Sequence, residues 1–565
     1  MLLEKALMIS LKNGKDTYKM KQFKEFACMV GCSTNGVPTV STMKKFADIM
    51  SLLDYNVLYM EINETFDMEG EPYFAYNRGK YTIEEIQEIV AYCEALNIEV
   101  VPVIQTLGHL PFINRIPKYS AFMDTNDILL VDDDRTYEFI EKMILTMRKM
   151  FKTNRINIGM DEAYLLGGGK YQQLHGPTKQ IDIFMKHLQK VSEIAKKYNY
   201  QCEMWSDVFF HILSKGNIYN INDKQKIPQE WKSLIPDNVN IIYWEYFVSD
   251  VKMCEDMIEK HRLIDPNVIY AGTFFRWYGI APLNAFTNKV MKRALKACAN
   301  KHVDRVIMTM WADFGGGSSL YATLPCMWYL SRYVKANFDE SKIDFNEFEK
   351  LFELPYKDFM LLDTPNYPFT DFKTKEVSDY RLTNRSFYYL YDDPFYGITT
   401  SLLTDNIDKA FLNTANELRK INAGKYQYLF NTMTSLSDVL AIKVTLAKRT
   451  IEAYQNKKLK ELNKIANFDY PLLMKKLEAF SKDYETQWFN EYKAFGFEII
   501  CLRLGTLKER LKYCKERLNK YLNKEIEKIE ELESKHLPFA YSNNQKDDTY
   551  NITRYSLIST HGYIG

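Results

Sequence analysis

Eight short apolar runs, separated by stretches of helical periodicity, constrain this chain more than any other feature. The runs are 26–31, 57–61, 98–105, 155–161, 201–206, 239–245, 267–272 and 305–311. Between them, stretches such as 42–53, 83–96, 137–151, 182–198, 251–261 and 288–300 repeat apolar residues every three or four positions, as one face of a helix must. Strand–helix alternation repeated eight times over roughly three hundred residues is what a (β/α)8 TIM barrel requires. The connection after the fifth run carries the weakest helical signal. With 565 residues, 46% of them apolar, the chain is long enough to bury a large core and to hold a second domain.

What the strands end in points to chemistry. The fourth run finishes in Asp161-Glu162, followed by Ala163, Tyr164, Leu165, Leu166 and three glycines, Gly167 to Gly169. Side chains alternate faces along a strand, so two adjacent acids face one site only where the strand finishes and the backbone turns. Carboxyl ends of barrel strands are where catalytic groups are assembled. Two neighbouring carboxylates repel when both are ionised, which favours one of them as a proton donor. The plainer alternative is an Asp-Glu pair that caps the following helix.

The third run ends in Gln105 to His109, and other strand ends carry carboxylates and tryptophans: Met204-Trp205-Ser206-Asp207, Tyr243-Trp244-Glu245-Tyr246 and Met310-Trp311-Ala312-Asp313. Three of the seven tryptophans fall at such ends, and Trp277 lies just past the seventh strand. A single tryptophan is ordinary core. Four at one end of separate strands suit a sugar pocket, where ring faces stack on aromatics and hydroxyls meet carboxylates.

From about Asn337 the strand signals vanish. Leu436, Leu440, Val444, Ala447, Ile451 and Tyr454 share one helical face, and Leu504, Leu507, Leu511, Cys514, Leu518 and Leu522 another. These stripes suit core packing or a homodimer. The expected organisation is a short N-terminal extension (1–25), the barrel (26–335), an all-α C-terminal domain (336–540) and a polar tail (541–565).

Formal net charge is +1, from 74 basic and 73 acidic residues, which gives no footprint for nucleic acid or a membrane surface. Nine scattered cysteines with no CxxC pair suggest reduced thiols and a cytoplasmic setting. No signal peptide or membrane-length apolar run is expected. The eight histidines show no paired spacing and Gly167-Gly168-Gly169-Lys170 lacks phosphate-loop spacing, so neither a metal nor a nucleotide cofactor is expected.

Taken together, Gly159 to Ala163, Met204 to Asp207, Tyr243 to Tyr246 and Trp311 to Asp313 resemble glycoside hydrolase family 20, the β-N-acetylhexosaminidases. The likeness is to the bacterial subgroup with a helical C-terminal domain. Glu69 to Phe74, Arg78 to Thr82, Gln105 to His109 and Asn126 to Val131 extend it in order over about residues 26 to 335, and more loosely into the helical tail. The resemblance implies a substrate-assisted retaining mechanism acting on a glycan with a terminal N-acetylhexosamine. By the family pattern Glu162 is the acid/base, and Asp161 holds the N–H of the substrate's 2-acetamido group, whose oxygen attacks the anomeric carbon. Trp205, Trp244 and Trp311 would wall the acetamido methyl, Tyr246 would donate to the acetamido oxygen, Asp313 would read a hydroxyl, and His109 would stand behind the acid. For His109 a satisfied core histidine is the plain alternative.

The departures are equally specific. Where the family has Asp-x-Ser-Arg after the first strand, this chain has Gly31-Cys32-Ser33-Thr34, so the arginine that reads sugar hydroxyls is absent there. Phe314 and Gly317 stand where Asn and Glu are usual, and Asn63-Glu64-Thr65-Phe66 replaces a more acidic loop. Losing a bidentate charged reader weakens recognition, which predicts an altered preference at the non-reducing sugar. The small domain that often precedes such barrels is expected to be short or missing here. Two rival readings remain open: an ordinary retaining glycosidase using Glu162 and Glu245, which needs about 5 Å between them, and a catalytically weak glycan-binding barrel.

Overall fold

The computed structural model describes residues 22–214, 216, 226–277, 279–313, 317–367, 385–537, 555–560 and 562. Most of the expected N-terminal extension and polar tail therefore lies outside the described residues, as does Phe314. The described chain forms two compact units. The first comprises Met1–Phe274, Thr287–Ala312 and Met327–Ile343, the second Phe275–Phe286, Asp313–Cys326 and Asp344–Gly565.

In the first unit eight parallel strands close into a barrel in sequence order. They are β1 Glu25–Gly31, β2 Val57–Glu61, β3 Glu99–Val103, β4 Arg155–Asn157, β5 Gln201–Trp205, β6 Val239–Trp244, β7 Ile269–Thr273 and β8 Arg305–Met310, with β1 paired to both β2 and β8. Each falls within two residues of its expected start. β4 is the exception at its end: it stops at Asn157, four residues short of the acids, because Gly159 and Met160 both take left-handed backbones (φ +72° and +71°) that no strand can continue through.

Four of the barrel helices begin at a side-chain cap. α1 (Val40–Leu52) starts behind Thr39, whose side chain accepts the Thr42 N–H. α2 (Ile83–Ala95) starts at a Thr82–Glu85 capping box and buries Ile86, Ile89, Val90 and Cys93. α3 (Asp134–Met150), α4 (Lys170–His175), α5 (Gln180–Lys197), α6 (Asp207–Ser214), α7 (Val251–Arg262) and α8 (Asn284–Asn300) follow. The weak fifth connection holds α6 and a short helix, Glu230–Leu234, on either side of residues outside the description.

The barrel interior is layered by strand alternation. At its amino-terminal end Arg155 bonds Glu25, Glu99, Glu203 and Tyr59, and Arg305 bonds Glu25, Glu203 and Tyr59. Above this, Ala27, Met29, Val57, Val101, Val103, Ile242, Ile269, Ala271 and Ile307 form with the buried Trp205 an apolar layer on which the partly buried Trp244 and Trp311 pack. The tryptophans thus mark the carboxyl-terminal end, where barrel sites are built. Gly31, at that end of β1, is closely enclosed: an added Cβ would stand 3.0 Å from the Ala312 N and 3.1 Å from the Met310 O.

The second unit is helical, with α9 Ile407–Arg419, α10 Gln427–Gln455, α11 Tyr470–Glu491 and α12 Phe497–Leu522. Both sequence stripes, all but the half-buried Leu522, are buried within it along α10 and α12, so they serve internal packing. The segments after β7 and β8 group here for a visible reason. Glu491 accepts from the Leu320 N–H at 2.8 Å, Tyr484 donates to the Gly317 carbonyl at 2.9 Å, and Arg276 bonds the Ser318 carbonyl at 2.9 Å.

Candidate active site

The turn after β4 is organised around Asp161. Asn157 takes the Gly159 N–H on its side-chain oxygen at 2.8 Å and starts the turn. Gln105, just beyond β3, accepts the Met160 N–H at 3.2 Å and donates to Asp161 Oδ1 at 2.7 Å. Gly159 leaves the room for this amide, since any Cβ there would collide with it. The next helix starts only at Lys170, with Gly169 at its N-cap and no capping side chain, so the Asp-Glu pair caps nothing.

His109 joins the two acids. Its Nε2 lies 3.3 Å from Asp161 Oδ2 and 3.4 Å from Glu162 Oε2. Burial opposes a charge on the imidazole, but the side chain is still 41% exposed, and the two carboxylates, Asp161 foremost, raise its pKa well above the usual histidine range. For Asp161 burial pushes the pKa up, and the His109 charge with the His109 and Gln105 hydrogen bonds outweighs it, leaving the carboxyl below its usual range. Asp161 is only 9% exposed, whereas 43% of the Glu162 side chain faces solvent. One carboxylate is therefore anchored as an anion and the other is reachable by an incoming oxygen. Met160, Glu162 (φ +51°) and His109 (φ +55°) are all non-glycine residues with left-handed backbones, a concentration of strain typical of functional turns.

The aromatic residues form one continuous wall. Trp205 and Trp311 rings lie 5.6 Å apart, Trp244 and Tyr246 stack at 5.2 Å, and Trp311 Nε1 donates to the Tyr246 hydroxyl at 2.8 Å. That hydroxyl accepts from the indole, so its own proton is directed elsewhere. Asp207 connects this wall to the acids: one carboxylate oxygen accepts the Glu162 N–H at 2.8 Å and the other Trp244 Nε1 at 3.3 Å. Burial, then the neighbouring Asp161 charge, pushes the Asp207 carboxyl up to about 7.

Glu245 is placed apart from the tryptophans. It follows Trp244 on the opposite face of the strand, is 2% exposed, and accepts the Phe247 N–H at 2.6 Å. Its charge is felt by Tyr243, Cys254 and Tyr270, on the helix-facing side of the barrel. The structure thus brings together Asp161, Glu162, His109, Trp205, Trp244, Tyr246 and Trp311, and leaves Glu245 out. Trp277, stacked on Phe275 at 5.6 Å, and the exposed Asp313 belong to the second unit.

Gln105 and Asp207 are not among the expected site residues, although they lie just beyond β3 and β5 in the segments that carry the others. A third cluster lies after β1 and β2. Ser33 donates to Glu61 at 2.6 Å beside Thr34, and Arg78 pairs with Glu64 at 2.7 Å, bonds Asn35 at 3.2 Å and covers the Phe112 ring at 4.3 Å. Among the described residues no group of three or more His, Cys, Asp or Glu side chains is arranged to hold a metal ion. No described helix is long and apolar enough to cross a membrane.

Residues 27–245 match the family model for the glycosyl hydrolase family 20 catalytic domain, and residues 357–551 that for the glycoside hydrolase 20C C-terminal domain. Among curated proteins the chain is similar to hexosaminidase D of Bos taurus, 22% identical over 42% of this chain and 68% of that protein. Hexosaminidase D of Homo sapiens is 23% identical over 42% and 49%. Beta-hexosaminidase 3 of Arabidopsis thaliana is 23% identical over 38% and 43%. The match thus spans about half the length of the human and plant relatives. Among solved structures, an exo β-N-acetylglucosaminidase of Vibrio harveyi in complex with N-acetylglucosamine aligns with TM-score 0.44 at 13% identity, over 60% of this chain and 58% of that one. A β-N-acetylhexosaminidase of Bacteroides fragilis aligns with TM-score 0.42 at 18% identity, over 58% and 68%.

Proposed function

Since the chain belongs to glycoside hydrolase family 20, we propose that it is a retaining exo-β-N-acetylhexosaminidase that removes terminal β-linked GlcNAc or GalNAc by substrate-assisted catalysis. The observation that carries this reading is the division of labour between two adjacent carboxylates. Asp161 is buried, bonded by Gln105 and paired with His109, and so suits accepting an acetamido N–H as an anion. Glu162 is half exposed and suits proton exchange with the glycosidic oxygen and then with water.

In this reading the acetamido oxygen attacks the anomeric carbon as the C–O bond to the leaving group breaks and Glu162 gives that oxygen its proton. The resulting oxazolinium carries positive charge on the acetamido nitrogen side, where Asp161 stabilises it. Water, deprotonated by Glu162, then opens the ring at the anomeric carbon with retention. Trp205, Trp244 and Trp311 wall the methyl, and Tyr246 donates to the acetamido oxygen, so attack is intramolecular. Asp313 and Trp277 are assigned to hydroxyl and ring contacts on the strength of the family pattern. The catalytic barrel is assigned to 26–335 and the helical domain to 336–540. None of the nine cysteines is joined in a disulfide, which favours a reducing, cytoplasmic setting.

The placement of Glu245 on the helix-facing side speaks against the ordinary two-carboxylate retaining scheme. The test is hydrolysis of chromogenic β-GlcNAc, β-GalNAc and β-glucoside substrates by wild type and Glu162→Gln, with an oxazoline-mimicking thiazoline as inhibitor. Turnover of the acetamido sugars alone, lost in the variant and blocked by the thiazoline, is expected. Equal turnover of the glucoside would overturn substrate assistance, and neither turnover nor thiazoline binding would leave a glycan-binding scaffold.

A further inference from the structure

Helix α6 carries two side chains, one turn apart, that both reach the loop bearing the carboxylates. Asp207 accepts the Glu162 backbone N–H at 2.8 Å. The His211 ring stacks on Tyr164, with centroids 4.0 Å apart and planes 21° from parallel. Positions i and i+4 share one helix face, so a single face of α6 grips the loop at two points. The backbone it grips is costly: Glu162 sits at φ +51°, a conformation a side-chain-bearing residue keeps only where its surroundings hold it. From the same carboxylate, Asp207 also reaches Trp244 Nε1 at 3.3 Å.

Resting on the function proposed above, we propose that Asp207 and His211 are positioning residues that lock the Glu162–Tyr164 turn to the Trp244 wall, so that the proton donor and the acetamido pocket keep one register. The chemistry needs that register. The wall sets where the nucleophilic oxygen lies and the turn sets where the acid lies, and the two act on opposite bonds of one carbon. Asp207 bonds to both, through the backbone of one and the indole of the other. Its burial supports the assignment: a carboxyl group out of water is kept where its polar atoms are bonded, and here each of its two oxygens accepts from one N–H donor. Asn could satisfy only one of them.

The experiment uses the full chain and the variants Asp207→Asn, His211→Ala and His211→Phe. Hydrogen exchange is followed in peptides covering 157–166, and kcat is measured on aryl β-GlcNAc substrates with a poor and a good leaving group. Asp207→Asn and His211→Ala are expected to speed exchange in that loop. Because misplacing a reacting group by about 1 Å can cost on the order of 100-fold, they should lower kcat by about 10- to 100-fold with the poor leaving group, and by clearly less with the good one, which needs no acid. His211→Phe keeps a stacked ring and should restore most of both signals. Unchanged exchange in Asp207→Asn, or equal losses on both leaving groups, would overturn the proposal. Should Asp207→Asn fail to fold, the contrast between His211→Ala and His211→Phe decides it. A wild type inactive on every acetamido sugar would sink the proposed function alone, and the exchange data would still show whether α6 holds the turn.

Discussion

Gln105 donates its side-chain N–H to Asp161 Oδ1 at 2.7 Å, from a place left open by the missing side chain of Gly159. This is a charge-assisted bond inside a buried site, and such bonds contribute roughly 1.5–3 kcal/mol. Gln105→Leu keeps the bulk and removes both polar atoms, freeing the Met160 N–H as well. We expect kcat/KM on an acetamido substrate to fall about 10- to 100-fold, that energy range converted at 1.4 kcal/mol per decade. A variant within a factor of two of wild type would show that Asp161 needs no such anchor.

His109 makes a pH prediction with a definite sign. Its charge holds the Asp161 carboxyl below its usual range, so activity that depends on ionised Asp161 persists to lower pH than it otherwise would. In His109→Phe the acid limb of the kcat/KM profile should move to higher pH. For stability the raised His109 acts in the opposite direction: its contribution is fully present below the unfolded histidine pKa and is lost as pH rises through the folded one. An acid limb that stays in place in the variant would remove His109 from this role.

Much of this architecture can be read directly from the chain, and the reasons for the exceptions are physical. Parallel strands buried on both faces leave continuous apolar runs, so all eight stand out. The end of β4 does not, because the left-handed backbone of Met160 has no residue-type signature, although Gly159 beside it does. Asp207 and Gln105 lie just beyond their strands as Asp161 and Glu162 do, yet their roles depend on partners 45 and 56 positions away. Glu245 is the reverse case: simple alternation past Trp244 already points it away from the wall. The grouping of 275–286 and 313–326 with the helical unit rests on bonds such as Leu320 to Glu491, 171 residues apart, which no local pattern records.

At the amino-terminal end of the barrel, Glu203 bonds both Arg155 and Arg305 while only 2% exposed. Removing one partner of a buried ion-pair network leaves uncompensated charge and typically costs about 3–5 kcal/mol. Glu203→Ala should therefore lower the Tm of the barrel by many degrees while leaving kcat of the folded enzyme unchanged at lower temperature, since this end of a barrel serves stability. A loss of kcat without a loss of Tm would reverse that division.

Thr34 stands where the resemblance expects a hydroxyl-reading arginine, and its backbone is left-handed at φ +61°. A β-branched residue is poorly suited to that region, and strain of this kind costs on the order of 1 kcal/mol or more. Thr34→Gly should raise the stability of the barrel by about 1 kcal/mol, the relief of that strain less the added chain entropy. Thr34→Arg is the functional counterpart: a sharp gain in kcat/KM on ordinary GlcNAc substrates would mean that the pocket merely lost a contact. No gain, with a changed GlcNAc to GalNAc ratio, would fit a pocket remodelled for another sugar.

Asp207 supplies the last prediction. Burial and the Asp161 charge raise its carboxyl from 3.8 to about 7, so the folded chain holds a proton there that the unfolded chain has already released at mildly acidic pH. The stability linked to that proton is fully present below the unfolded pKa and is lost as pH rises through the folded one. About three pKa units correspond to roughly 4 kcal/mol at most, at 1.36 kcal/mol per unit. Asp207→Asn carries no such proton. The Tm of wild type relative to this variant should therefore fall as pH is raised from about 4 to 8 and level off above it. The Asp207 bonds to Glu162 and Trp244 add a stability difference at each pH, but the slope belongs to the proton. Parallel Tm curves across that range would mean that Asp207 is already ionised at acidic pH in the folded protein, with its two N–H donors outweighing the burial and the repulsion from Asp161.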